Sequence, residues 1–336
     1  MTMTSVGDLS SALALRALNR DMKKRFLQLS QEVASGRVSD VAGHLRGAVG
    51  TLGALNREMA MLKSYKLAGQ EAAMRGQAIQ DALGIIQKQT VTLGTTFLSD
   101  GKSGTLSSVK AAGQAALSGL EVVVSALNAR RGGLGLFSGQ ATRGPTVISA
   151  GKILDDLEAR VASASTLQDV TRIVESYFQD PSGGFQTSGY QGSTQPSGPV
   201  RLSDTETVSF DVTALSPEIR TTLQGLALAA LTTRNIPIND ITSRSTLVYQ
   251  AGSLLVGAND GVISLQAKIG ATQARIDEIQ TRQMARMTAA EIDRNALVSA
   301  DPYDSATRLQ GIQNSLQALY MVTSRVAGMS LVGFLK

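Results

Sequence analysis

The chain has 336 residues, no cysteine and one histidine, His44. Disulfides, thiolate nucleophiles, zinc-thiolate sites, iron-sulfur clusters and multi-histidine metal sites are therefore excluded. Aromatic residues are only 4% against 43% hydrophobic, which favours long thin helices over a thick core with ring-lined pockets, and the net charge of +5 is scattered.

In chain order, the opening MTMTSVGDLS has neither the basic nor the apolar region of a signal peptide. No apolar run reaches the ~20 residues that span a bilayer. The expectation is a chain without a cleaved signal peptide and without membrane contact. Leu15, Leu18, Met22, Phe26, Leu29 and Val33 then recur at steps of three and four, which places them on one helix face. Lys23-Lys24-Arg25 within it, and later Arg130-Arg131, read as solvated cations, since a nucleic-acid surface carries a denser stripe with interleaved aromatics. Ser35-Gly36 ends the helix, with Gly36 suited to the residue just past its C-terminus. A second periodic stretch runs from Leu45 to Tyr65, and a third contains Ile79, Leu83, Ile86, Thr90 and Leu93. Asp100-Gly101 reads as a turn, and an apolar stretch, Leu117 to Leu127, follows.

The middle changes character. Segments 149–179 and 216–232 read as helical, the latter with a Ser216 cap and Pro217 at its first position. Residues 181–199 are uncharged and dominated by Gly, Ser and Pro, so they read as a flexible loop without an element. Val200-Arg201-Leu202 and the alternating run Thr207–Val212 suggest a small hairpin. Periodicity returns with Val262, Leu265, Ile269, Thr272, Ile276 and Ile279. It ends with Leu309, Ile312, Leu316, Leu319, Thr323 and Val326. Asp301-Pro302-Tyr303-Asp304 opens that last helix, predicted over about 302–330: Asp301 caps, Pro302 takes the first position, and Asp304 meets the positive end of the dipole.

A helix with one narrow apolar stripe cannot bury it alone. The predicted fold is therefore mainly α: long N- and C-terminal helices paired as an antiparallel coiled-coil rod, with a small inserted α+β outer domain. The predicted boundaries are 1–44 and 301–336 for the two halves of an inner coiled coil, 45–140 and 251–300 for the two parts of a helical rod, and 141–250 for the outer domain. The stripes Leu15–Val33 and Leu309–Val326 are the expected subunit interface.

Chemistry-bearing patterns are weak. Gly101-Lys102-Ser103 resembles the end of a phosphate loop, but Thr96 stands where its first Gly belongs. Gly133-Leu134-Gly135 with Gly139 has one residue too many for a dinucleotide fingerprint and follows a helix. No G-x-S-x-G surrounds a serine, so His44 has no catalytic setting. Asp155-Asp156 and Asp277-Glu278 point about 100° apart on helices and read as solvated faces or as partners for Lys and Arg. Asn259-Asp260-Gly261 lacks the alternating acids of a calcium loop. No catalytic residue, cofactor or metal is expected, and the chain is read as not an enzyme.

The sequence resembles the flagellin family of bacterial axial proteins. Leu29-Ser30 followed by Ser35-Gly36-Arg37 resembles the family's ending of the first helix. Asn128 with Leu136-Phe137-Ser138-Gly139 resembles a stretch typical of its hook-filament junction branch, the hook-associated protein 3 type. The tail from Ala300-Asp301-Pro302 through Leu309-Gln310, then Leu316–Tyr320 and Ser330–Leu335, resembles the family's C-terminal helix. Ser39-Asp40-Val41-Ala42-Gly43 stands where the family carries Asp-Asp-Pro-Ala, a departure. The resemblance implies export through the flagellar type III apparatus without signal cleavage, terminal helices that order on assembly, and an extracellular place in the flagellum. The partners it implies are copies of itself in a ring, a hook-associated protein on the hook side, flagellin on the filament side and an export chaperone, with no nucleic acid and no membrane. Flagellin itself is the alternative reading, and a cytosolic coiled-coil scaffold a further one.

Overall fold

In the computed structural model the backbone is described for residues 6–141 and 143–334, with side chains except at 6–9, 11, 12 and 326–334. The chain is mainly α, with long helices packed on each other and, among the described residues, two small sheets. It divides into two compact units, Met1–Lys63 with Ala285–Lys336, and Ser64–Met284.

The first unit holds α1 (Val6–Ser35), α2 (Val41–Leu45), the start of α3 (Val49–Ser103), the end of α8 (Ile241–Val298) and α9 (Pro302–Phe334). Local chemistry sets its helix ends. Gly36 stops α1 with φ +67°, its N–H returning to Glu32 O at 2.8 Å. Asp40 caps α2 by accepting from Gly43 N. Asp301 Oδ1 accepts from Tyr303 N at 2.8 Å and Asp304 N at 3.1 Å, the predicted start of α9. Asp304 also pairs with Arg308 one turn on, at 2.8 Å. α1 and α9 run antiparallel. At one end Ala300 N donates to Gly36 O and Val38 N to Val298 O; farther along, Lys23 lies over the Tyr320 ring.

The second unit contains the rest of α3 and α8, then α4 (Leu106–Leu127), the hairpin β1 (Arg130–Arg131) and β2 (Leu134–Gly135), α5 (Ala150–Val161), α6 (Leu167–Gln179), the hairpin β3 (Val200–Arg201) and β4 (Thr207–Val208), and α7 (Pro217–Ala230). β3 and β4 pair antiparallel, Val200 with Val208 and Arg201 with Thr207, as their alternation predicts. α3 and α8 are antiparallel in a register read from close approaches. Going up α3, Gly69 faces Gln280, Gly76 faces Gln273, Gly94 faces Val256 and Gly101 faces Tyr249. The predicted α8 stripe is used here: Val262, Leu265, Ile269, Ile276 and Ile279 are buried. The scarce aromatics concentrate in this core. Phe97, Phe137, Phe178 and Phe185 are fully buried, and Phe178 stacks edge-on to Tyr177 at 5.0 Å and tilted to Phe185 at 5.3 Å.

Several local expectations need correction. The two periodic stretches from Leu45 to Leu93 belong largely to one helix, α3, which continues through Asp100-Gly101 to Ser103 and stops at Gly104, φ +64°. Gly101 serves contact, not a turn: a Cβ there would lie 2.6 Å from Tyr249 N. Segment 149–179 is two helices, because Thr166 and Asp169 form a reciprocal capping box that starts α6. The 181–199 stretch is not free of structure. It forms a π-helical turn, Phe185–Gly189, and Tyr190 bridges to Val147, because the two aromatic side chains are drawn into the core. Ser216 does not cap α7; its Oγ accepts from Thr213 N instead, while Pro217 does open the helix.

Candidate assembly surface and the family-motif clusters

Of the described residues expected at a subunit interface, most are partly covered where α1 and α9 pair, and the rest are exposed. On α1, Leu15, Met22, Phe26 and Leu29 are half-buried, while Leu18 (45%) and Val33 (43%) remain exposed. On α9, Leu309, Ile312 and Leu316 are half-buried, Leu319 is buried and Thr323 is exposed; the side chain of Val326 lies outside the described residues. No described side chain of α1 is buried.

A second set of apolar residues escaped the periodic reading. Leu13, Leu27, Tyr303, Tyr320, Met321 and Val322 are half or more exposed on the same two helices. Leu27 follows Phe26 and Tyr320 follows Leu319, so each is turned about 100° from the seam. Their signal in the sequence was apolarity off the period, which a single-stripe reading discards. The basic run lies on the solvent side: Lys23, Lys24 and Arg25 are exposed, and the Lys23 ammonium sits 5.9 Å from the Tyr320 ring centroid.

The motif residues gather into two clusters. Ser35, Gly36 and Arg37 meet the residues leading into Asp301 and Pro302: Arg37 bridges Ser299, and Gly36 O accepts from Ala300 N at 2.9 Å. Ser35 Oγ accepts from Arg37 N, which tightens the turn. This join closes one end of the α1–α9 pair. Ser39, in the departing stretch, bonds Glu32 with both its N–H and its hydroxyl.

The second cluster lies within the other unit. Asn128 ends α4, and its Oδ1 accepts from Thr146 N at 2.7 Å and Val147 N at 2.9 Å, while its Nδ2 donates to Val147 O at 2.9 Å. One amide thus satisfies three backbone groups of the segment leading to α5. Leu136, Phe137, Ser138 and Gly139 are buried beside it. Phe137 O accepts from Ala214 N, and Ser138 O from Ser193 N. Gly139 has φ +60°, and a Cβ on it would strike Gln195 O, so only glycine fits.

The remaining chemistry-bearing candidates sit at helix ends, on a hairpin, on exposed helix faces and in ion pairs. His44 is exposed on the last turn of α2. Ser103 closes α3 by donating to Asp100 O, and the 133–139 glycine run spans a hairpin turn and its exit. Asp155 pairs with Arg234 and Asp156 with Arg160; Glu278 pairs with Arg275 and Arg282, and Asp277 is exposed. Glu206 on the β3–β4 hairpin bonds Arg282 and Arg275 of α8, and hydrogen bonding from Arg282 holds its carboxyl below the usual range. Burial pushes the Tyr190 hydroxyl up to about 12 and Tyr177 further, so neither phenol ionises near neutrality. Among the described residues no cluster of three or more His, Asp or Glu could hold a metal, and no helix is long and apolar enough to cross a membrane.

No protein-family model matches the sequence, and no curated protein matches it. The fold does have a counterpart among solved structures. A protein of Vibrio parahaemolyticus described as a flagellar hook-associated protein superposes with a TM-score of 0.54 at 14% identity, over 74% of this chain and 96% of that one. The likeness is one of fold.

Proposed function

We propose that this chain is a structural subunit of the bacterial flagellum, a hook-filament junction adapter that assembles as a ring between a hook-associated protein and the flagellin filament. The observation that carries the reading is the incomplete α1–α9 pair. Two long helices close one seam on each other yet leave Leu13, Leu18, Leu27, Tyr320, Met321 and Val322 exposed. Burying such rows against neighbouring copies offsets the entropy of ordering the chain ends. The fold shared with a flagellar hook-associated protein supports the same reading. The role is structural and not catalytic. Export by the type III route with a chaperone, without signal cleavage, belongs to the proposal, as does an extracellular place at the flagellum.

Assembly is geometric. A head-to-tail contact that closes around an axis makes a ring. The proposed contact residues are the α1 and α9 seams, Leu15–Val33 and Leu309–Val326, together with the exposed rows beside them. The 141–250 region carries the outer surface and tolerates change best.

Deleting residues 316–336 tests the reading: assembly is lost while the chain is still exported. Filament growth that persists in such a strain overturns it. Mass spectrometry of sheared filaments separates this reading from flagellin, since a junction subunit is present in few copies and flagellin in thousands; the Leu136-Phe137-Ser138-Gly139 stretch favours the junction. A His44→Ala strain keeps full motility if no chemistry depends on that imidazole.

A further inference from the structure

We propose that one water molecule is built into the core of the Ser64–Met284 unit, bridging Ser138 Oγ and Thr146 Oγ1. Ser138 is 2% exposed and Thr146 1% exposed, and neither hydroxyl reaches a hydrogen-bond partner in the protein. The backbone around them is already engaged. Ser138 O accepts from Ser193 N, Thr146 N donates to Asn128 Oδ1, and Thr146 O accepts from Gln191 N. The two hydroxyls are thus orphaned while Ser138 O and both backbone groups of Thr146 are engaged.

They also converge on one place. A Cβ built on Gly135 would fall against Ser138 Oγ and 3.3 Å from Thr146 Oγ1. Both oxygens therefore flank the bare Cα of Gly135. Their separation is at most about that of two successive O–H···O bonds of ~2.8 Å, and they make no direct bond. This is the arrangement one water spans: a polar site, sealed from bulk solvent, with a donor-acceptor group on each side. Either hydroxyl can donate or accept, so the water satisfies both.

The site has a structural consequence. Ser138 follows the β1–β2 hairpin, and Thr146 lies in the segment that Asn128 holds before α5. The water joins these two segments beside the bare Cα of Gly135. The inference is independent of any role in assembly.

The experiment is a crystal structure of the intact chain at a resolution that shows ordered solvent, paired with a double-mutant cycle. A solvent peak about 2.8 Å from both oxygens is expected. In urea unfolding, Ser138→Ala and Thr146→Val each lower the midpoint, and the double variant lowers it by little more than the worse single, because the first substitution already breaks the bridge. A direct Ser138–Thr146 hydrogen bond with no peak between them overturns the proposal, as do strictly additive losses. If a variant fails to fold, the solvent peak in the unaltered chain decides alone.

Discussion

The two units use the same helical periodicity to different ends. In Ser64–Met284 the apolar stripes are consumed: the α8 row from Val262 to Ile279 is buried, and Phe97, Phe137, Phe178 and Phe185 have no exposed surface. In the terminal unit the seam of α1 and α9 is covered only in part, and Leu13, Leu27, Met321 and Tyr303 face solvent. A helix pair offers each stripe one partner, whereas a bundle surrounds it. Periodicity therefore reports which residues want to be buried, and only the number of neighbouring helices decides whether they are. Ser64–Met284 buries its stripes within itself; the terminal unit leaves apolar side chains uncovered.

The largest expected effect breaks the core unit. Phe178→Ala removes a fully buried ring that contacts two others and should cost about 3–5 kcal/mol in chemical unfolding. The counterpart in the terminal unit, Leu18→Ala, should shift the free chain by no more than about 0.5 kcal/mol and, on the proposed role, impair assembly of the junction ring. If both substitutions destabilise the free chain equally, the contrast between the units fails. Native-state hydrogen exchange sharpens it: amides of α4 and α7 should exchange slowly, and those of α1 and α9 in the free chain much faster.

Next come two positions where backbone proximity leaves no slack. Gly101→Ala drives a methyl group into the backbone of Tyr249 and should cost about 1–3 kcal/mol, despite the high helix propensity of alanine. Asn128→Ala strands Thr146 N, Val147 N and Val147 O and should cost about 1–3 kcal/mol, with loss of protection in the segment before α5. A stabilising Gly101→Ala would mean that α3 and α8 can separate there freely.

These positions also mark where the sequence is legible. Asp301-Pro302, Gly36 and the β3–β4 alternation announce their elements because caps and strand alternation act within a few residues. Gly101 misleads because its reason is Tyr249, far along the chain, and Asp-Gly is locally a turn signal. The 181–199 stretch misleads by composition: Gly and Ser outweigh Phe185 and Tyr190, but two buried rings suffice to hold it. In the α1–α9 pair, the half-buried seam is readable from its three-four rhythm. Leu27 and the Tyr320-Met321-Val322 run are not, since off-period apolar residues acquire meaning only once the helix partner is placed.

The smallest effect lies on the surface of the core unit. Glu206 links the β3–β4 hairpin to Arg275 and Arg282, with N–O distances of 2.8 and 2.7 Å, and its folded-state pKa is lowered chiefly by the Arg282 hydrogen bond. A carboxyl with a depressed folded pKa binds protons more readily unfolded. Its contribution is therefore present above the unfolded glutamate value and is lost as the pH falls through the folded one. The group is solvent-accessible, so salt screens the same contribution. Glu206→Gln should lower stability slightly above about pH 4.5, near the ordinary glutamate value, and leave it unchanged in stronger acid, so that the acid limb is flatter in the variant. The check is the urea midpoint against pH at low and high salt, for both proteins. An acid limb that is identical in the two would mean the hairpin is held by Gln283 on Leu202 O and Tyr65 on Asp204, without help from the arginines.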